Sequence, residues 1–304
     1  MNEVLQDMFD LSLALDLMDP TGAAHLLLVL LIFIAARKVF DLASPFKLAE
    51  ELTTHDNKAI AISFGGYVFG VGLILYAVLA HEGPTQPGTL EETHGPLPLL
   101  WDFASTAGWG LLGIVLLNIA RIINDKILLA KFDNTKELVT DRNIGTGAVE
   151  CGSFVGSALM IQAALAGEDS SFGAAILTTL IFFFLGQIGF IIFGMLLQKI
   201  TRFDLHAEIE SDNAAAGVSF GFSLVAIGIL LSGYIKYSDS VLGFGLWFLV
   251  ASFVLVASRY LIDKAMLPGD LLDDEISRDQ NWGAALVEGL CTVAVAFIVT
   301  ASFF

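Results

Sequence analysis

The sequence predicts an all-α polytopic membrane protein, with eight transmembrane helices arranged as four repeated helical hairpins. Three observations carry this reading. Apolar residues fall into runs long enough to cross a bilayer, for which roughly 20 residues are needed. Lys and Arg collect at alternate connections between those runs. A short signature of an acid followed by Asn recurs at the same connections.

Hydrophobic residues make up 56% of the chain and charged residues 15%, with a mean hydropathy of +0.75. A soluble domain of this length needs far more charge on its surface, so the apolar runs must face lipid. The runs at Ala23 to Ala36, Ile60 to Ala80, Ala174 to Leu197 and Ala284 to Phe304 show this most clearly.

Residues 1–20 come first and are acidic, with Glu3, Asp7, Asp10, Asp16 and Asp19, the opposite of a signal-peptide n-region. Leu5, Phe9, Leu13 and Leu17 recur about every fourth residue, as in an amphipathic helix lying on a membrane surface. The spans expected after it are 21–41, 57–80, 99–125, 143–166, 172–199, 213–236, 241–264 and 282–304. The connections after the first, third, fifth and seventh spans hold nearly all the basic residues, including Arg37, Arg121, Arg142, Arg202, Arg259 and Arg278. The long connection from His81 to Pro98 has no Lys or Arg, so loop length does not explain the bias. Basic residues are retained in the cytoplasm, which puts both termini outside, in the periplasm of a Gram-negative host.

The four basic connections end alike: Glu51…Asp56-Asn57, Glu137…Asp141-Arg142-Asn143, Glu208…Asp212-Asn213 and Glu275…Asp279-Gln280-Asn281. Asn57, Asn143, Asn213 and Asn281 are expected as N-caps, with carboxylates nearby that suit the positive helix terminus. In three copies a basic residue precedes an acid by four, at Arg37/Asp41, Arg121/Asp125 and Arg259/Asp263, which is the spacing of a helical ion pair.

Residues 109–150 align without a gap on 247–288, matching Trp109 with Trp247, Arg121 with Arg259, Asn143 with Asn281 and Glu150 with Glu288. Residues 57–72 align on 213–228, including Ser63-Phe64-Gly65 with Ser219-Phe220-Gly221. The chain therefore divides into the N-terminal segment 1–20, a first half 21–166 and a second half 167–304. An even number of spans separates the halves, so they share one orientation and are expected to be related by a pseudo-twofold axis along the membrane normal.

Tandem hairpins whose loops end in Asp-Asn before a Ser-Phe-Gly helix start resemble the YjfL-like family of bacterial inner-membrane proteins, domain of unknown function 350. The resemblance runs from Ala23 onward as two tandem four-helix copies. It implies an inner-membrane location and carries no activity over to this chain.

Two intramembrane carboxylates are the candidate functional residues. Glu150 and Glu288 each lie seven residues after the opening Asn, about 10 Å along the helix at 1.5 Å per residue. At that depth an ionisable group is costly and marks function by default, as an ion or proton site. The alternatives are a pair of protonated glutamates hydrogen-bonded between helices, or contacts in assembly. Thr146, Ser153 and Ser157 continue a polar stripe with Glu150, and Gly145, Gly152 and Gly156 form a small-residue stripe suited to close packing. The two glutamates are expected to face the bundle interior and approach each other across the pseudo-axis. His25, Gln187 and Asn118 read as interhelical hydrogen-bond partners, and Trp109 and Trp247 as core.

The remaining features exclude functions. The net charge of -17 argues against a nucleic-acid partner. Cys151 and Cys291 have no metal-ligand spacing and read as packing residues. His81, Glu82, Glu91, Glu92 and His94 read as a solvated acidic loop, and no metal or cofactor is expected. No hydrolase elbow, phosphate loop, dinucleotide fingerprint or zinc-protease pair is present, so no enzymatic activity is expected. Two readings remain. The first, favoured because buried carboxylates are costly, is a channel or transporter for a cation or proton, using Glu150 and Glu288 with Thr146, Ser153 and Ser157. The other is a non-catalytic scaffold or complex subunit that docks partners through its repeated cytoplasmic loops. Its partners would be membrane lipid, further copies of the chain, or another membrane or cytoplasmic protein.

Overall fold

The computed structural model describes residues 20–80, 96–165, 172–266 and 269–304. The expected amphipathic segment before Pro20 and the acidic cluster His81, Glu82, Glu91, Glu92 and His94 lie outside the described residues.

The described chain repeats a unit of long helix, short helix, long helix four times. The first hairpin is α1 (Pro20–Ala43), α2 (Leu48–Thr53) and α3 (Lys58–Ala80). The second is α4 (Pro96–Ile123), α5 (Asn134–Lys136) and α6 (Ile144–Leu165), with π-helical turns at Asn124–Leu128 and Glu137–Asp141. The third is α7 (Phe172–Ile200), α8 (Leu205–Glu210) and α9 (Ala214–Tyr237). The fourth is α10 (Val241–Met266), α11 (Leu272–Ser277) and α12 (Trp282–Phe303). Seven of the long helices, α3, α4, α6, α7, α9, α10 and α12, are long and apolar enough to cross a membrane.

The second long helices form a row in chain order: α3 packs on α6, α6 on α9 and α9 on α12. The first long helices lie against this row, α4 between α3 and α6 and α10 against α9 and α12. In their most apolar stretches α6 is 78% and α9 83% buried, against 28% for α12, which places α6 and α9 inside the row and α12 at its end. Glycine lets the inner helices touch. A Cβ on Gly152 would run into the carbonyl of Gly221, and one on Gly217 into the backbone of Gly145, so these stripes bring two backbones into contact.

Each second long helix, or inner helix, has a front and a back. Its back, represented on α3 by Ala59, Ser63, Gly66 and Gly70, meets the front of the next, represented on α6 by Gly147, Glu150, Cys151, Phe154 and Ala158. The same register recurs at α9 and α12, where the buried residues of α12 are Ala285, Glu288, Gly289, Thr292 and Ala296.

The short helices all end in the same turn. Asp56, Arg142, Asp212 and Gln280 adopt the left-handed conformation, with φ of 48°, 55°, 63° and 47°, immediately before the four Asn residues. The Asn side-chain oxygens cap the next helix, at Ile60 N, Thr146 N, Ala216 N and Ala284 N. Each Asn amide donates back to the loop glutamate: to Glu51, Glu137, Glu208 and Glu275, at 2.9, 2.8, 2.8 and 2.7 Å. Three of them also donate forward to a carbonyl of the following hairpin: Asn57 to Leu138, Asn143 to Ile209 and Asn213 to Ile276, at 2.8, 2.5 and 2.8 Å. These links tie the four loops together at one end of the molecule.

The expected four-residue ion pairs do not form. Asp41 and Asp263 instead accept from the backbone of Leu48 and Leu272 at the start of α2 and α11, and Asp125 accepts from Asn134. A carboxylate at the end of a span is placed to meet the unpaired N–H groups of the short helix that follows. In the second and fourth hairpins the basic residue, Arg121 or Arg259, is released for another partner.

Candidate functional site: two buried glutamate clusters

That partner is the intramembrane glutamate. Glu288 on α12 is 2% exposed. It accepts from Ser219 Oγ on α9 at 2.8 Å and from Arg259 Nη1 on α10 at 2.9 Å. Arg259 also reaches Ser219 Oγ at 3.2 Å and Asp273 on α11 at 3.0 Å. Thr292 Oγ1 donates to the Glu288 main chain at 2.9 Å and lies 3.3 Å from its carboxylate. A fixed guanidinium fork bridges two carboxylates here, the geometry for which Arg is suited and Lys is not.

The first half repeats the arrangement more loosely. Glu150 on α6 accepts from Ser63 Oγ on α3, and its other oxygen lies 3.8 Å from Arg121 Nε on α4. Arg121 donates to Ser44 Oγ at 2.7 Å, and its guanidinium sits 4.6 Å from the centre of the Phe40 ring. Glu150 Oε1 and Arg121 Nε are buried without a hydrogen-bond partner.

The clusters occupy alternate junctions. Where the second and fourth hairpins carry Glu150 and Glu288, the first and third carry Phe64 and Phe220. The basic residues follow: Arg121 and Arg259 are buried or nearly so, whereas Arg37 and Lys199, which have no carboxylate to meet, are exposed. Serine follows too, present at Ser63 and Ser219 behind each glutamate and replaced by Val149 at the α6–α9 junction.

Both glutamates therefore lie inside the protein, but they do not meet. Each is held between consecutive inner helices, α3 and α6 for Glu150 and α9 and α12 for Glu288. Helix α9 stands between α6 and α12, so the expected approach across an axis is replaced by two separate clusters. The polar stripe on α6 divides as well. Ser157 accepts from Gln187 on α7 at 2.9 Å, Ser153 is buried, and Thr146 Oγ1 is buried without a partner. None of the three touches the Glu150 carboxylate among the contacts of the described residues.

Three further polar groups bridge helices or local backbone, whereas the Trp109 indole N–H is buried without a partner. Asn118 donates to Tyr67 OH at 3.0 Å, Trp247 Nε1 donates to the Leu230 carbonyl at 2.8 Å, and His25 Nδ1 lies 3.0 Å from the Thr21 carbonyl. Cys151 and Cys291 are free thiols. In the loops, burial pushes the Glu51 carboxyl up, but hydrogen bonds from Asn57 and His55 outweigh it and hold the group below its usual range. Burial raises Glu137, and the neighbouring Asp141 adds to the rise against the bond from Asn143.

An all-helical row of apolar spans joined by buried ion-pair clusters defines a multi-pass integral membrane protein. The chain belongs to the family described as Domain of Unknown Function (DUF350), which matches residues 12–165 and 171–303 as two tandem segments. It is also similar to a UPF0719 transmembrane protein of Aquifex aeolicus (strain VF5), 24% identical over 283 residues, covering 90% of this chain and 97% of that protein. No solved structure matches.

Proposed function

We propose that the chain is a non-conducting, non-catalytic scaffold of the bacterial inner membrane, whose four tied loops present a cytoplasmic docking surface for protein partners. In this reading α1 is the eighth span. It is 24 residues long, with Leu26, Leu27, Leu30 and Leu31 turned outward, and both termini lie in the periplasm. The halves share one orientation as successive units of the row. A closed half-turn would set the back of α12 against the front of α3, and Val287, Leu290, Ala61 and Gly65 on those faces are exposed.

The observation that carries the reading is that each glutamate is held within its own helix junction, by a close ion pair at Glu288 and more loosely at Glu150. Glu288 is held by Ser219 and Arg259 and Glu150 by Ser63 and Arg121, each from adjoining helices. A carboxylate that relays ions must exchange partners with water or cargo. Here it closes a helix junction.

Liposomes containing the purified protein provide the test. The proposal expects proton and monovalent-cation fluxes equal to those of protein-free vesicles. Flux above that background, lost in Glu150→Gln, would overturn it in favour of a second reading, translocation of a cation or proton. One observation favours that alternative, the buried Glu150 Oε1 and Arg121 Nε without hydrogen bonds.

A further inference from the structure

We infer that the two ends of the row are the two halves of one interface, through which copies of this chain join head to tail in the membrane. The internal junctions define what such an interface looks like. At each, the back of one inner helix meets the front of the next. At the ends one member is lacking among the described residues. The front of α3, with Ala61, Phe64, Gly65, Val68 and Gly72, has no inner helix against it and lines an apolar groove of about 530 Å³. These residues occupy the register of Gly147, Glu150, Cys151, Phe154 and Ala158 on α6. At the other end the back of α12 presents Gly283, Val287, Leu290 and Ala294, all exposed.

The loops show the same vacancy independently. Asn57, Asn143 and Asn213 each donate to a carbonyl of the next hairpin, at Leu138, Ile209 and Ile276. Each acceptor directly follows the loop glutamate of its hairpin. Asn281 bonds Glu275 and caps α12, and among the described residues its amide has no such carbonyl. The equivalent acceptor in the first hairpin is Leu52, which follows Glu51 and lines the groove on α3. A second copy set against α12 would bring that carbonyl to Asn281.

The chemistry of the ends also matches. Junctions alternate between polar, Ser63 with Glu150 and Ser219 with Glu288, and apolar, Val149 with Phe220. The next in sequence is apolar, and the ends supply Val287 and Phe64. None of these face residues is charged, and small residues on both faces allow the close approach that drives helix association in lipid. Such a contact is heterologous, so it closes into a ring or extends along the membrane.

The register names a cross-link. A Cβ at Gly66 would lie 2.6 Å from the Cys151 sulfur, and the equivalents at the ends are Leu290 and Gly65. With Cys151 and Cys291 replaced by Ala, chains carrying Leu290→Cys and Gly65→Cys are co-expressed and oxidised in native membranes. A disulfide between the two chains, and none in membranes holding either alone, is expected. Self-cross-linking of one variant, which marks a twofold contact, or no cross-link between inserted chains overturns the inference. Native mass spectrometry of the unaltered protein from lipid discs decides independently of those variants. Multiples that fall to single copies in Ala294→Trp are expected. Single copies of the unaltered protein, or multiples that survive the substitution, overturn the inference.

Discussion

Desolvating a carboxylate and a guanidinium costs several kcal/mol per ion, which their attraction recovers only when both stay in place. For the Arg259–Glu288 pair at 2.9 Å this predicts an asymmetry. Arg259→Leu or Glu288→Leu alone should destabilise the protein by about 3–5 kcal/mol, because the partner is left buried and charged. The double Leu variant should recover part of that loss, since Asp273 still loses its bond from Arg259, measured as thermal unfolding midpoints in mild detergent. Glu150→Gln should cost less, since the amide oxygen still accepts from Ser63 and Arg121 keeps Ser44 and Phe40. The glutamates were legible from the sequence by their depth in apolar spans. Their arginines were not, because Asp125 and Asp263 at helical spacing offered a nearer partner. The usable signal was the ungapped alignment, which pairs Arg121 with Arg259 and Glu150 with Glu288 at one offset. A buried carboxylate needs a counter-ion, and these are the basic residues that recur with it.

At the scale of the element, the loop signature carries more than a cap. Asn143 caps α6, bonds Glu137 and reaches Ile209 in the next hairpin, while Asn281 makes the first two kinds of contact without the third. Losing a cap costs about 1 kcal/mol, and leaving a buried acceptor unsatisfied adds roughly 1–3 kcal/mol. Asn143→Ala should therefore lower the unfolding midpoint distinctly more than Asn281→Ala, and equal shifts would remove the interhairpin link from the account. Glycines separate the same way. Gly152→Ala, which drives a methyl into the Gly221 carbonyl, should impair folding, whereas Gly108→Ala meets open space and should be silent by fluorescence-detected size exclusion. Span positions and the four Asn residues could be read from apolar runs and recurring acids. The left-handed turn before each Asn could not, because Asp, Arg and Gln occupy it rather than a glycine.

For the whole molecule, the one-sided basic charge predicts that the four tied loops share the cytoplasmic side. Reporter fusions after Glu51, Glu137, Glu210 and Glu275 should all report the cytoplasm, and one after Gly88 the outside. The row itself depends on side-chain volume, which hydropathy does not register. Facing glycine stripes on α6 and α9 bring their backbones together, so the inner helices stack in chain order rather than gathering around an axis. Paired cysteines in a chain lacking Cys151 and Cys291 test this order most directly. Phe222→Cys with Gly289→Cys spans the α9–α12 junction, where a Cβ on Gly289 would lie 2.7 Å from the Phe222 Cβ. Glu150→Cys with Glu288→Cys spans the distance that α9 fills. The row predicts rapid disulfide formation within one chain for the first pair and none for the second, and cross-linking of positions 150 and 288 within a chain would contradict it.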